Sequence, residues 1–147
     1  MSIKLIAVCT DFSDHSEKAF VTACEIAEHQ KAKLIVLHVM PPVISPVYTE
    51  FDSVSVSAPD KSIVLELEER MEQEYGSRIK EGVDYELVVL DGHVSTTILT
   101  FLEEHNVDLA VLGAFGLSGM GLVIFGSVAK RIAHKAPCSV MIVRERE

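Results

Sequence analysis

Five short, continuous apolar runs recur along the chain, at residues 5–9, 34–39, 87–90, 109–112 and 140–143. A strand with one solvated face alternates apolar and polar residues, so runs without alternation read as strands buried on both faces. Helical periodicity fills the gaps. The first pattern places Ala19, Phe20, Ala23, Ile26 and Ala27 on one face, opened by Ser13 or Asp14, with Glu17 at capping-box spacing from Asp14. The second, over 60–80, carries Val64, Leu67, Met71 and Tyr75. The third carries Ile98, Phe101 and Leu102 behind the capping candidates Ser95 and Thr96, and the fourth carries Val128, Ile132 and Ala136. Strict alternation of buried strands and crossover helices predicts a doubly wound, Rossmann-like α/β fold: a five-stranded parallel sheet, right-handed connections, helices on both faces.

The length suits one domain spanning 1–147. With 147 residues, 48% of them hydrophobic and 24% charged, the chain can bury a core without disulfides or metals. Four of the five prolines fall within residues 41–59, which have no clear period and read as a mobile surface loop that interrupts the domain without dividing it. Cys9, Cys24 and Cys138 are odd in number and lie on or beside apolar segments, which favours free buried thiols over a redox pair. The N-terminal apolar run is too short for a signal peptide, and no stretch reaches the roughly 18 apolar residues of a membrane span, so the expected location is cytoplasmic. A net charge of −9 opposes contact with nucleic acid or anionic lipid. A small anion is different, because the backbone N–H groups of a helix N-terminus can hold one whatever the net charge.

In open parallel sheets, ligands bind at the carboxyl ends of the strands where the strand order reverses. Two strand ends matter. The first ends in Thr10 and Asp11, which sets a carboxylate at that edge. The fourth runs into GAFGLSGMGLVIFGS, from Gly113 to Ser127, and then into a helix from Val128. Gly113 and Gly116 allow a ligand close to the backbone, while the helix opened by Gly126 and Ser127 offers unpaired N–H groups and a favourable dipole to phosphate. A plainer reading is that the glycines only shape a turn and that Ser127 is only an N-cap. No G-x-x-x-x-G-K-[ST] occurs, and no G-x-G-x-x-G follows the first strand, so P-loop and dinucleotide-fingerprint sites are both excluded.

The spacing present, Gly113, two residues, Gly116, nine residues, Gly126 and Ser127, resembles the ATP-binding motif of the universal stress protein family. The opening IAVCTDFSDHSEKA, the segments LIVLHV and NVDLAVLGAFG and the ending APCSVMIVRE resemble that family's landmarks in its order. The resemblance covers essentially the whole chain. It implies that Asp11 and Val39 flank adenine and ribose, with Thr10 beside them and Gly113 at the ribose. It also implies that Gly116, Gly126, Ser127 and the Val128 amide hold the phosphates of ATP, accompanied by Mg²⁺ or Mn²⁺. Thr10, Val94 and Ser139 depart from the family pattern, each standing where proline is common.

Other chemistries fare worse. The six histidines show no metal-ligand spacing, and His38, inside an apolar strand, reads as a satisfied core residue. Asp14 and Glu17 suit a helix's first turn better than acid catalysis. Asp91 after the third strand could pass for a receiver domain's phosphoacceptor, yet the second acidic residue beside Asp11 and the lysine after the last strand are missing. An adenylating domain would need a Gly- and Ser-rich loop after the first strand, which Asp11 to Ser16 does not supply. Slow ATP hydrolysis stays open, but no general base other than Asp11 stands near the motif, so binding is favoured over turnover. The final apolar strand, at a sheet edge, predicts a homodimer, and an unidentified regulatory protein target belongs to the same reading.

Overall fold

A computed structural model of the chain describes residues 2–45, 55–57, 59–115 and 125–145. The five apolar runs form strands β1 (Leu5–Cys9), β2 (Lys33–Met40), β5 (Tyr85–Asp91), β6 (Leu109–Gly113) and β7 (Ser139–Val143). All neighbours are parallel, in the order β5-β2-β1-β6-β7. The connecting helices are α1 (Asp14–Gln30), α2 (Lys61–Glu74), α3 (Val94–Glu104) and α4 (Ser127–Lys135). The chain winds outward from β1 through β2 to β5, then crosses back to β6 and β7, so the order reverses between β1 and β6.

That path puts α1 and α2 on one face and α3 and α4 on the other. Residues of β1 divide between the two cores: Ile6 and Val8 pack with Phe20, Ala23, Met71 and Tyr75, whereas Ala7 packs with Ile98, Leu102 and Ile132. Ile6, Ala7 and Val8 are fully buried. This is why the central strand shows no alternation, and each buried aliphatic side chain contributes about 1.5–3 kcal/mol. At the other end of the sheet, Asp108 accepts from the backbone N–H groups of Lys4 and Leu5, both at 2.9 Å, and so fixes the start of β6 beside β1.

Local details depart from expectation in four places. Ser13, one of the two expected candidates, caps α1 with its Oγ accepting from the Ser16 N–H at 3.2 Å, but Glu17 pairs with Arg78 in place of the expected capping box with Asp14. The second helix ends at Glu74 and tightens into a short 3-10 turn over Gly76–Arg78. His93 caps α3 in place of Ser95 or Thr96. Within 41–59, expected to be an irregular loop, β3 (Val43–Ser45) and β4 (Ser55–Ser57) form an antiparallel ribbon; most of the rest of that stretch lies outside the described residues. The three cysteines are free and half-buried, and burial pushes the Cys9 thiol up to about 12 and the Cys24 thiol to about 11.

Candidate functional site

The carboxyl edge between β1 and β6 is built from the turn that follows each strand. After β1 the chain needs a sharp change of direction to enter α1, and Thr10 organises it. Its N–H donates to the Leu37 carbonyl at 2.9 Å, and its own carbonyl accepts from His38 Nδ1 at 2.8 Å. The Thr10 hydroxyl accepts from the Phe12 N–H at 3.0 Å and bonds both Ser16 Oγ, at 3.1 Å, and the Tyr75 hydroxyl. Thr10 is 6% exposed. Its hydroxyl is therefore committed to the scaffold, and Thr10 acts on the site through the shape of the turn.

Asp11 follows, with Oδ1 accepting from the Ser13 N–H at 3.0 Å. This local bond is the side chain's usual way of closing a turn, and it turns the carboxylate towards the α1 N-terminus. Phe12 adopts φ 64°, in the left-handed region. Its ring is held on three sides: by His38 at 4.7 Å and Tyr75 at 5.8 Å between ring centroids, and by the Arg70 guanidinium 3.9 Å from the ring centroid. Burial lowers the pKa of His38, while its bond to Thr10 and the nearby Asp11 act the other way. Burial raises that of Tyr75.

Val39 lies beyond the last β1–β2 pair, Cys9 with Leu37, and is paired on its other side with Leu90. Its side chain is buried in the α3 and α4 core. On the far lip, Gly113 ends β6. A Cβ there would lie 2.7 Å from the backbone carbon and oxygen of His15. The missing side chain is thus required by the approach of α1, a packing reason beside the ligand role expected of Gly113. Ala114 donates to Val143 at 3.1 Å and accepts from the Gly126 N–H at 2.7 Å, so the two ends of the glycine-containing segment are tied together.

Gly126 is the N-cap of α4, and Ser127 is the first helical residue. Gly126 has no side chain with which to cap α4, whereas the N-cap side chains of Ser13, Asp60 and His93 cap the other three described helices. The first-turn amides of α4, the Val128 N–H among them, thus make no bond to an N-cap side chain, at a terminus that is electrostatically positive. Gly116 lies outside the described residues.

The fold brings Thr10, Asp11 and Val39 to one lip of the β1/β6 switch and Gly113, Gly126, Ser127 and Val128 to the other. It does not bring Asp91 to this edge's centre, because β5 is an outer strand two places from β1. A receiver arrangement with Asp11 is thereby removed. Among the described residues no group of three or more His, Cys, Asp or Glu is placed to hold a metal ion. Sequence reasoning missed Phe12, Arg70 and Ser16, and it read Tyr75 only as one more apolar residue of a helix.

A doubly wound α/β sheet whose strand order reverses between β1 and β6 is the class that this fold defines. The chain belongs to the universal stress protein family, whose family model matches residues 2–144. It is 32% identical over 146 residues to the universal stress protein YxiE of Bacillus subtilis, covering 93% of this chain and 96% of that one. Among solved structures it resembles the universal stress protein UspA from Lactobacillus plantarum, with a TM-score of 0.76, 22% identity and coverage of 98% and 99% of the two chains. It also resembles a universal stress protein in complex with cAMP, with a TM-score of 0.71, 25% identity and coverage of 98% of each. Among the described residues no helix is long and apolar enough to cross a membrane.

Proposed function

We propose that this chain binds ATP at the β1/β6 edge and acts as a nucleotide-dependent regulatory protein of the stress response. The observation that carries the reading is the N-terminus of α4, whose N-cap Gly126 has no capping side chain and is tied by its N–H to Ala114 at the end of β6, the strand next to the one that Asp11 follows. Phosphate oxygens would accept from the amides of the helix's first turn, with Gly116, Gly126, Ser127 and Val128 as the phosphate lip. The nucleoside would lie between Asp11 and the backbone of Val39, with Gly113 at the ribose. The relative in complex with cAMP supports an adenine nucleotide as the ligand class.

Mg²⁺ or Mn²⁺ belongs to this reading as company for the phosphates. Among the described residues no group of three or more His, Cys, Asp or Glu is placed to hold a metal, so in this reading the ion's partners are the phosphates. Binding rather than turnover is the activity assigned, with residues 1–147 as one cytoplasmic domain, paired through β7 into a homodimer and read by a regulatory partner. Mass spectrometry of ligand released from protein purified without added nucleotide tests the reading: ATP or a related adenine nucleotide is expected. Protein that carries none and binds none at millimolar ATP would contradict it.

A further inference from the structure

We propose that Phe12 is the positioning residue of the nucleoside lip, holding Asp11 in place by anchoring the turn after β1 to helix α2. This rests on the nucleotide reading above and extends it to a residue that touches no ligand in that scheme. The backbone supplies the first reason. At φ 64° a bulky residue occupies a region that glycine enters without steric cost and phenylalanine does not. A turn that needed only its shape would be satisfied by glycine, so the ring's own contacts must outweigh the penalty.

Those contacts come from an element otherwise remote from the site. Arg70 lies over the Phe12 ring at 3.9 Å, and its guanidinium is oriented by Glu74 at 2.9 Å one turn along α2. Tyr75, at the end of the same helix and 2% exposed, lies face-on to the ring at an interplanar angle of 26°. Its hydroxyl reaches the Thr10 side chain, which also accepts from the Phe12 N–H. His38 also packs against the ring, with centroids 4.7 Å apart, and donates from Nδ1 to the Thr10 carbonyl. Both residues that flank Asp11 on its N-terminal and C-terminal sides are thus fixed to α2 and β2, which holds the turn in which Asp11 Oδ1 meets the Ser13 N–H.

The geometry makes two measurable claims. Phe12→Gly keeps the permitted backbone and removes the anchor, so amide exchange at Ser13, which reads the Asp11 to Ser13 bond, should accelerate, while Phe12→Tyr should restore it. In nucleotide titrations Phe12→Gly should weaken ATP and adenosine alike by about tenfold, the scale of one well-placed hydrogen bond, and should leave tripolyphosphate binding unchanged. In an Asp11→Ala background it should add nothing, because Phe12 acts through Asp11. Arg70→Ala should show the same pattern in weaker form, which keeps the test alive if the glycine variant folds poorly. Unchanged Ser13 exchange and unchanged adenosine affinity in Phe12→Gly would overturn the positioning role alone, as would full additivity with Asp11→Ala. A wild type that binds neither ATP nor adenosine would overturn the nucleotide reading and this role with it.

Discussion

A methyl group on Gly113 would sit 2.7 Å from both the backbone carbon and the backbone oxygen of His15. Carbon atoms do not approach backbone so closely, and neither the first turn of α1 nor the end of β6 can yield without moving its hydrogen bonds. Gly113→Ala should therefore destabilise the protein by about 1–3 kcal/mol, a fall in Tm of about 3–10 °C, measured without nucleotide by circular dichroism. An unshifted melting curve would show that α1 can move away freely and that the glycine serves the ligand alone.

The hydroxyl group of Thr10 joins Ser16, Tyr75 and the Phe12 N–H in one buried network. Removing one partner leaves others unsatisfied, whereas removing two matched partners does not. Thr10→Val should cost about 1–3 kcal/mol, and Tyr75→Phe added to it should cost less than it does in the wild type. Denaturant melts of the two single variants and the double variant give the coupling; additive losses would mean that the two hydroxyls act independently.

The five strands were legible because a parallel sheet covered on both faces needs apolar residues on both, and Ile6, Ala7 and Val8 satisfy that without any alternation. The residues of both lips were legible too, since Asp11 closely follows one strand and Gly126 with Ser127 opens a helix after another. Less visible were features decided by tertiary context. His93 lies outside the usual N-cap set, and Ser95 and Thr96 nearby are better candidates by type alone. The β3–β4 ribbon consists of strands of three residues, too short for a period to register. Phe12 reads as an apolar residue between polar ones, and nothing local forecasts a left-handed phenylalanine; only the ring's docking against Arg70 and Tyr75 accounts for it.

His38 carries a pH dependence. Burial lowers its pKa in the folded protein below the ordinary 6.5. As pH falls through that value the unfolded chain takes up the proton first, so stability is lost on acidification and regained on the alkaline side. Asp11 and Arg70, the charged groups facing the ring, act in opposite directions. Comparing Tm at pH 7.5 and 5.5, the wild type should lose more than His38→Gln. Parallel losses would place the titration elsewhere.

The β7 strand occupies a sheet edge, and its Met141 is 38% exposed. Ile142 packs into the α3 and α4 core, so changing it would confound assembly with folding. Met141→Lys is the cleaner probe of the proposed homodimer: light scattering should give a dimer for the wild type and a monomer for the variant, with little change in the circular dichroism spectrum. A dimer that survives the lysine would put the interface on another surface.

The central claim, that adenine nucleotide is held with its phosphates at the N-terminus of α4, is tested most directly by ATP-dependent thermal stabilisation of the wild type, Gly126→Val and Asp11→Ala. At about 100 times the dissociation constant, a ligand that binds only the folded state adds roughly 2.7 kcal/mol, a shift of about 5–10 °C for a domain of this size. The wild type should shift with ATP. Gly126→Val should lose the ATP shift yet keep adenosine binding, because the branched side chain fills the space where phosphate meets the helix, while Ser127→Ala should weaken ATP by about 1.5–3 kcal/mol. Asp11→Ala should weaken ATP and adenosine together. A wild-type melting curve unmoved by millimolar ATP, or a Gly126→Val variant that shifts as far as the wild type, would contradict the account.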